Sequence, residues 1–370
     1  MKKKLAIIGA STGQYPICLK ARELGIETFC FAWEQGAVCR DIVDHFYPIS
    51  IFETDRIVEA CKSIGVDGVV SNASDRTADV VAYVADRLHL NGTPYDTVIS
   101  LHDKSYVRSL TESIEGLGCP RNYRYEGKDL HIYPCVVKPC IGRAKKGVSF
   151  ARDESEFNTA IRYASVDNDS GIIVEEFIEG KELSVESISF HGKHTVIQVT
   201  DKDSSSFPHF VELGHHQPAD ISDDLRHKIE IVIPRLLSAM GYTDGASHVE
   251  VKYKGNDIYL IEANLRGGGD DISNRLVSMS SGVDYLKCMI DVALNQFVKP
   301  EKIAKGGFAG IYYLTKQTSH LLPFFEDATG KDWLVEKEIY SVELKESHSN
   351  YERDGFLMYY SDHKITPNNE

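Results

Sequence analysis

The sequence contains no stretch of the roughly 18 to 20 apolar residues that a membrane-spanning helix needs. Three lysines near the N-terminus precede a short apolar run that ends at Gly9. A secretory signal requires a longer apolar region and a cleavage site, so this run is interpreted as a first strand. The sequence therefore predicts a cytoplasmic protein with no membrane partner.

Positive charge is scarce relative to negative charge. The chain has 41 Lys and Arg residues against 55 Asp and Glu residues, and its formal net charge is −14. A surface that follows nucleic acid needs clustered Lys and Arg residues. The composition therefore predicts that nucleic acid is not a partner.

None of the eight cysteines belongs to a Cys-x-x-Cys pair. The two nearest in sequence, Cys135 and Cys140, lie in apolar or strand-like surroundings. Spacing of this kind is typical of reduced thiols that are buried or half-buried in a cytoplasmic protein.

The first hundred residues alternate short apolar runs with helical patterns. Runs at 5–8, 27–31 and 66–70 are typical of strands, and 75–88 is typical of an amphipathic helix. Such alternation predicts a parallel sheet with helices on both faces. The turn from Gly9 to Gly13 lacks the third glycine of the Gly-x-Gly-x-x-Gly fingerprint, which disfavours a nucleotide-dependent dehydrogenase.

A candidate metal site lies on two later strands, around residues 246–253 and 258–263. If residues 254–257 form a tight turn, Glu250 and Glu262 lie opposite or nearly opposite each other, and Asn264 points to the same face. Carboxylates this close repel unless a cation or proton lies between them. Oxygen ligands of this kind suit magnesium bound with nucleotide phosphates. The alternative is an exposed sheet face with solvated carboxylates.

Two further segments are candidates for nucleotide binding. Lys138 ends a strand and leads into a basic, glycine-containing loop at 139–147, whose amides and cations could hold phosphate. An apolar strand at 172–177 runs into a turn and an alternating strand, where backbone groups could read adenine and a carboxylate could accept ribose hydroxyls. The alternatives are an ordinary basic hairpin loop and a strand pair with surface acids.

The order and spacing of these motifs resemble the ATP-grasp superfamily. The match begins at Lys104, passes Lys138 and residues 175–186, and ends at His248-Val249-Glu250 and the Glu-x-Asn-x-Arg motif of residues 262–266. It covers residues 100–300 and, more loosely, residues 1–95. Within the superfamily, the three glycines after Arg266 look like the amino-acid ligase and carnosine-synthase-like group.

The resemblance implies an α/β and α+β fold. Its expected parts are a Rossmann-like domain at 1–98, two ATP-grasp subdomains at 99–178 and 179–300, and a small C-terminal β-rich region at 301–370. A chain of 370 residues is long enough for two or three such units. Strand-like patterns in the last part lie at 309–313, 339–344 and 356–360.

The resemblance also implies roles for individual residues. ATP would be bound by Lys104, Lys138, Gly142, Lys145, Gly147, Glu175, Glu176, Phe177, Ile178 and Glu182, with Glu175 at adenine and Glu182 at ribose. One or two Mg²⁺ ions, with Mn²⁺ as an alternative, would be ligated by Glu250, Glu262 and Asn264. The catalytic residues would be Arg266 and His248, and the substrate contacts would be Glu212, His215, Gly268 and Asp270.

Some residues leave alternatives open. The family loop usually has Gly then Ser where this chain has Ala144 and Lys145, which predicts a stiffer loop with Lys145 near phosphate. Residues 211–218 look like a substrate loop of the group, but an ordinary polar connection is equally expected. Asp270 and Asp271 precede a helical pattern, so they could cap a helix instead of binding an amine.

The function that the resemblance implies is an ADP-forming carbon–nitrogen ligase. It would use ATP to convert a carboxylate into an acyl phosphate and would then join it to an amine. The partners would be small-molecule carboxylates and amines, and enzymes of this kind are commonly homodimers. The alternatives are a carboxyphosphate-forming enzyme of the purine-pathway type and a relative that binds nucleotide without turnover.

Overall fold

A parallel four-stranded sheet begins the chain in the computed structural model, which describes residues 2–142, 146–205, 211–301, 306–347 and 349–367. Its order is β3-β2-β1-β4, and the elements are β1 (Lys4–Ile8), α1 (Tyr15–Glu23), β2 (Glu27–Phe31), β3 (His45–Tyr47), α2 (Thr54–Ile64), β4 (Gly68–Val70) and α3 (Asp75–Leu88). Apolar side chains of β1 are buried on both faces, since Leu5 and Ile7 enter one core cluster and Ala6 and Ile8 another. The predicted parallel sheet is confirmed.

A small antiparallel sheet follows. The elements in this part are α4 (Tyr95–Ser100), α5 (Lys104–Thr111), β5 (Leu117–Gly118), β6 (Asn122–Arg124), β7 (Cys135–Pro139), β8 (Ser149–Ala151), α6 (Glu154–Ala164) and β9 (Ile172–Glu176). The small sheet has the order β6-β9-β7-β8, and α6 packs on it through Phe157 and Ala160. Strand β7 of this sheet ends at Lys138-Pro139, where the basic loop starts.

A nine-stranded sheet forms the rest of the scaffold, in the order β16-β17-β15-β12-β11-β10-β13-β14-β5. Its other elements are β10 (Lys181–Phe190), β11 (Lys193–Ser204), β12 (Glu212–Gln217), α7 (Asp223–Ala239), β13 (Gly245–Lys254), β14 (Asp257–Asn264), α8 (Val277–Ser281), α9 (Tyr285–Ala293), β15 (Phe308–Leu314), α10 (Leu322–Asp327), β16 (Leu334–Ile339) and β17 (Gly355–Ser361). Short π and 3₁₀ turns occupy Ile272–Leu276, Ser319–Leu321 and Asn350–Glu352.

The two faces of this large sheet differ in character because side chains alternate along each strand. Val249 and Val251 of β13 pack with Leu236 of α7 in an apolar cluster. His248 precedes these valines in the strand and Glu250 lies between them. Both side chains lie on the other face of the sheet and contact each other there. The helix on one face therefore leaves the charged residues grouped on the opposite face.

One strand of the C-terminal prediction needs correction. The strand predicted at 339–344 is wrong, because β16 ends at Ile339 after pairing with β17, and Tyr340 and Val342 beyond it are exposed. The predicted β-rich C-terminal region is confirmed, and its strands extend the large sheet because β15 pairs with β12. The domain boundaries themselves stay a prediction.

The prediction that the cysteines are unpaired and buried or half-buried is confirmed. All eight cysteines are free, seven are buried, and Cys119 is half-buried. Among the helices in the described ranges, none combines the length and the apolar composition that crossing a membrane would take.

The contact between α7 and the large sheet should dominate the stability of this layer. Leu236→Ala removes a fully buried side chain, and we expect a loss of about 2–5 kcal/mol in the free energy of unfolding. Ile231→Ala on the same helix removes a side chain that is 38% exposed, and its effect should stay within about 0.5 kcal/mol. Urea unfolding of the two variants provides the measurement, and equal losses would contradict this account of the core.

Candidate active site

Strands β13 and β14 bring the predicted metal ligands together. Lys254 pairs with Asp257 across the turn, Glu250 pairs with Glu262, and His248 pairs with Asn264. Directly opposed residues of an antiparallel pair share one face. The predicted juxtaposition of Glu250, Glu262 and Asn264 is therefore confirmed as geometry, while metal binding by these residues stays a prediction.

Each of the two opposed carboxylates has a lysine beside it. Lys104 Nζ, at the start of α5, lies 3.3 Å from Glu262 Oε1. Lys202 Nζ, on β11, lies 2.6 Å from Glu250 Oε1. Lys202 stabilises the Glu250 carboxylate in the ionised form, which is the form that binds a metal.

Lys202 is a residue that the sequence analysis missed. Its side chain is buried, and Nζ also lies 3.2 Å from Glu182 and 3.0 Å from Glu212. Burial by itself would lower the pKa of Lys202, but the charges of Glu212, Glu250 and Glu182 raise it well above its usual value. A fully charged lysine therefore lies among three carboxylates beside the candidate metal site.

His248 lies between two carboxylates. Nδ1 is 2.5 Å from Glu186 and Nε2 is 3.2 Å from Glu250. Burial would lower the pKa of His248, but the charge of Glu186 and the hydrogen bonds to both carboxylates raise it to about 9. Burial likewise would raise the pKa of Glu250, but Lys202 and His248 hold it well below its usual range. The sequence analysis also missed Glu186, although it lies four residues after Glu182 on β10, a spacing that places both on one face of a strand.

Lys138 is held in place by a buried network. Its Nζ lies 2.6 Å from Glu175, whose carboxylate also accepts hydrogen bonds from Arg108 Nε at 2.7 Å and Nη2 at 3.1 Å. Arg108 Nη2 also donates to the Ile261 carbonyl of β14 at 2.7 Å. The network therefore ties the small sheet to the large sheet. Arg108 was missed, although its spacing of four from Lys104 places both on one face of α5.

Opposing effects set the pKa values in this network. Burial would raise the pKa of Glu175, but the charges of Lys138 and Arg108 lower it to about 2. Burial lowers the pKa of Lys138, and the charge of Glu175 only partly offsets that effect. Because the Glu175 carboxylate is engaged by two cations, it positions Lys138; a contact of this side chain with adenine stays a prediction.

The segment predicted to bind adenine is held by an ion pair and by hydrogen bonds to neighbouring elements. Glu176 pairs with Arg121 at 2.9 Å, and the Phe177 amide donates to the Pro134 carbonyl at 2.9 Å. The Ile178 carbonyl accepts a hydrogen bond from Lys252 Nζ at 3.3 Å. These contacts hold the backbone of residues 176–178 beside β13, next to Glu182.

The predicted phosphate loop is described only at its two ends. Gly142 accepts a hydrogen bond from Lys104 Nζ through its carbonyl at 3.1 Å. Gly147 has a φ of 76°, and a Cβ there would lie 2.8 Å from Pro139 Cγ, so a side chain would be strained. The predictions for Ala144 and Lys145 lie outside the described residues.

Arg266 joins the site to the N-terminal sheet. Its Nη1 donates to the Gly267 carbonyl at 3.0 Å, and its Nε pairs with Asp75 at the start of α3. A Cβ on Gly267 would lie 2.5 Å from Asn72 Oδ1, and one on Gly268 would lie 2.7 Å from His248 Nδ1. The glycines therefore allow the backbone after Arg266 to pass between the two parts. Asp75 was missed.

The substrate-side residues also come together. Residues 212–217, predicted as a loop, form strand β12 between β11 and β15, so the loop prediction is wrong. His215 is buried, and its Nε2 atom lies 3.3 Å from the Glu212 carboxylate and 3.6 Å from the Asp270 carboxylate. Burial would lower the pKa of His215, but these carboxylates raise it.

Asp271 makes no side-chain capping bond, so the capping alternative for it is wrong.

Comparison with known proteins identifies the central part of the chain. Residues 131–275 match the family model of the ATP-grasp domain. This part of the chain is similar to the ATP-grasp domain. This range contains Lys138, Glu175, Glu250, Glu262 and Asn264.

Relatives share this domain at low identity. Alanine–anticapsin ligase of Bacillus subtilis is 23% identical over 283 residues, which are 68% of this chain and 58% of that ligase. The structure of an L-amino acid ligase from Bacillus licheniformis matches 98% of this chain and 94% of that one, with a TM-score of 0.79 and 23% identity. The structure of a phosphoribosylglycinamide synthetase from Anaerococcus prevotii matches 98% of this chain and 95% of that one, with a TM-score of 0.77 and 20% identity. The fold is therefore the one predicted.

Two arginines that bind neighbouring glutamates should differ sharply in importance. Arg108→Leu removes the hydrogen bonds to the buried Glu175 carboxylate, although Lys138 remains paired with Glu175, and we expect the free energy of unfolding to fall by about 1.5–3 kcal/mol. Arg121→Leu breaks the exposed pair with Glu176, and the loss should be under about 1 kcal/mol. Urea unfolding at pH 7 compares them.

The Arg108 effect should also depend on pH. Because the pKa of Glu175 is lowered from 4.5 to about 2 in the folded chain, its contribution is complete above pH 4.5 and is lost as the pH falls towards about 2. The difference between wild type and Arg108→Leu should shrink over the same range. A difference that stays constant down to pH 2 would contradict the ionised network.

Proposed function

We propose that this protein is an ATP- and magnesium-dependent ligase that activates a carboxylate as an acyl phosphate and couples it to an amine, releasing ADP and phosphate. The observation that carries the proposal is the opposed pair Glu250 and Glu262, with Asn264 beside them and lysines on either side. The ATP-grasp match of residues 131–275 supports it.

The residues present suit ATP with magnesium. Two ionised carboxylates and an amide offer the hard oxygen ligands that Mg²⁺ prefers, and Mn²⁺ accepts the same set. Glu250, Glu262 and Asn264 would hold the metal, which when bound supplies charge neutralisation to the terminal phosphates. Lys104 and Lys138 would bind phosphate oxygens, and we add Lys202 to this group because its buried ammonium lies beside Glu250.

The nucleoside end of the site would lie at the start of β10. Backbone groups of residues 176–178 are held in position by Arg121, Pro134 and Lys252, and would contact the adenine edge. Glu182, two residues beyond Gly180, would accept the ribose hydroxyls. Its pair with Lys202 at 3.2 Å supports this role, because Lys202 is itself a candidate ligand of the phosphates.

The chemistry requires positioning and charge neutralisation more than a nucleophile on the protein. A carboxylate repels nucleophiles, whereas its phosphorylated form carries a good leaving group. Arg266 would bind the oxygens that become negative as the amine attacks, and Asp75 holds that guanidinium in place. His248 would lie at the acyl group, next to Gly268. Cysteine chemistry is not needed in this scheme.

The amine would bind beside these groups, where Glu212, His215 and Asp270 meet. Two carboxylates provide acceptors for an ammonium group, and the deep burial of His215 keeps that side of the site compact. The second candidate reaction uses bicarbonate in place of an organic acid. A biotin carboxylase domain from Hydrogenobacter thermophilus, solved with MgADP and bicarbonate, has the same fold at 16% identity and supports this alternative.

A substrate screen tests the proposal. Pairs of proteinogenic amino acids and small carboxylic acids with amines should be mixed with protein, MgATP and a coupled assay for ADP. At least one organic pair should release ADP and phosphate in equal amounts without added bicarbonate. Dependence on bicarbonate would select the carboxyphosphate alternative, and MgATP binding with no turnover in any pair would leave a nucleotide-binding relative.

Glu262→Gln tests the metal assignment. The substitution removes one negative ligand but preserves side-chain size, and we expect ADP formation to fall at least about 100-fold, because even groups that only support metal ligands contribute about 10–100-fold. Its partner in the fold is the half-buried Lys104, so the thermal unfolding temperature should change little.

Glu115→Gln is the matched control, since the Glu115 side chain is 92% exposed at the surface and its carboxylate lies 3.6 Å from Arg235 Nη1. It should retain full activity. ADP formation by Glu262→Gln at the wild-type rate and the wild-type magnesium requirement would refute the assignment.

A further inference from the structure

A short C-terminal segment reaches the substrate side of the site. It consists of the 3₁₀ turn Asn350–Glu352 and Arg353, which precede β17. The Arg353 side chain is only 8% exposed, and its Nη2 lies 2.8 Å from Asp270 Oδ2. Its Nε donates to the Glu212 carbonyl at 3.1 Å, so one guanidinium contacts both residues.

Asn350 contacts the same two residues. Its Oδ1 accepts a hydrogen bond from the Glu212 amide at 3.1 Å, and its Nδ2 donates to Asp270 Oδ2 at 3.5 Å. Two side chains three residues apart therefore span the gap between β12 and the loop that follows β14. We call Asn350 and Arg353 the C-terminal clamp.

The loop held by the clamp has an unfavourable backbone. Asp270 and Asp271 have φ values of 52° and 60°, in the left-handed region that non-glycine residues rarely adopt. Conformations of this kind persist only where surrounding contacts determine them. Tyr313 contributes as well, because its hydroxyl donates to the Asp270 carbonyl at 3.3 Å and its ring lies 3.6 Å from the Arg353 guanidinium carbon.

A metal ion is the other cation that this cluster could hold. The donor atoms of Glu212, His215 and Asp270 lie within 4.8 Å of one another. However, Arg353 Nη2 already lies 2.8 Å from the Asp270 oxygen nearest His215 and 3.8 Å from the Glu212 oxygen nearest His215. A divalent ion there would face a guanidinium at contact distance, so the charge balance favours the clamp.

We infer that Asn350 and Arg353 are positioning residues for the amine subsite, and that the C-terminal segment thereby determines which amines the protein accepts. The inference rests on the proposed function for its substrate class. The clamp lies outside residues 131–275, which match the domain model. The clamp fixes the Glu212 backbone and occupies Asp270 Oδ2, and it thereby determines where the other oxygen of Asp270 can accept an ammonium group.

Binding measurements test the clamp without turnover. L-alaninamide carries an ammonium group and no carboxylate, and N-acetyl-L-alanine carries the reverse; both are titrated into protein saturated with MgADP. Wild type should bind L-alaninamide and not N-acetyl-L-alanine. Arg353→Met should weaken L-alaninamide binding about tenfold or more, because Asp270 loses the charge-assisted hydrogen bond that fixes its position, while the MgADP affinity stays unchanged.

Two further variants separate positioning from folding. Arg353→Lys keeps the charge but loses the two-pronged contact, so it should restore only part of the affinity. Asn350→Ala removes the other half of the clamp and should weaken L-alaninamide binding in the same direction. Arg226→Met is the control. Arg226 lies in the first turn of α7, away from this cluster, and the substitution removes its hydrogen bond to the Ala219 carbonyl. This variant should bind MgADP and L-alaninamide with wild-type affinity.

Three results would overturn the inference. These are wild-type affinity for L-alaninamide in both Arg353→Met and Asn350→Ala, an equal loss in Arg226→Met, or a stoichiometric Zn²⁺ in wild type that Glu212→Gln removes. Failure of wild type to bind MgADP would instead refute the proposed function. The two failures are distinguishable because the nucleotide and the amine probe are measured separately.

Discussion

Repulsion between two opposed carboxylates is the constraint around which the large sheet is arranged. The pairing of β13 with β14 places Glu250 directly across from Glu262, a like-charge arrangement that by itself destabilises a sheet. The protein meets this with cations from other elements, namely Lys202 from β11 and Lys104 from α5. The apolar contact with α7 on the opposite face keeps the strands in this register despite the charge.

The same rule extends outward from that pair. Burial penalises each charged group, so each one is satisfied by another: Lys138 by Glu175, Glu175 by Arg108, and Arg108 by the Ile261 carbonyl. Buried ion pairs contribute little net stability because desolvation offsets their attraction. Their effect here is orientation, since they hold a phosphate-binding candidate on the small sheet at a defined place relative to the large sheet.

Both ends of the chain supply charges to the loop after β14. Asp75 from the N-terminal part holds Arg266, and Arg353 from the C-terminal part holds Asp270. The glycines between these residues leave room for close packing against Asn72 and His248. The loop of seven residues between β14 and the π turn is thus positioned from two directions, which explains how it keeps two consecutive left-handed aspartates.

Local pattern in the sequence determined the parallel N-terminal sheet, the hairpin of β13 and β14, and the face shared by Glu250, Glu262 and Asn264. These features depend on residue periodicity and a short turn, which neighbouring residues specify. The tertiary structure alone decided that residues 212–217 form a strand and that Lys202, Asp75 and Arg353 reach the site. Alternation indicates which face a side chain occupies, but the partner across that face comes from packing between segments distant in sequence.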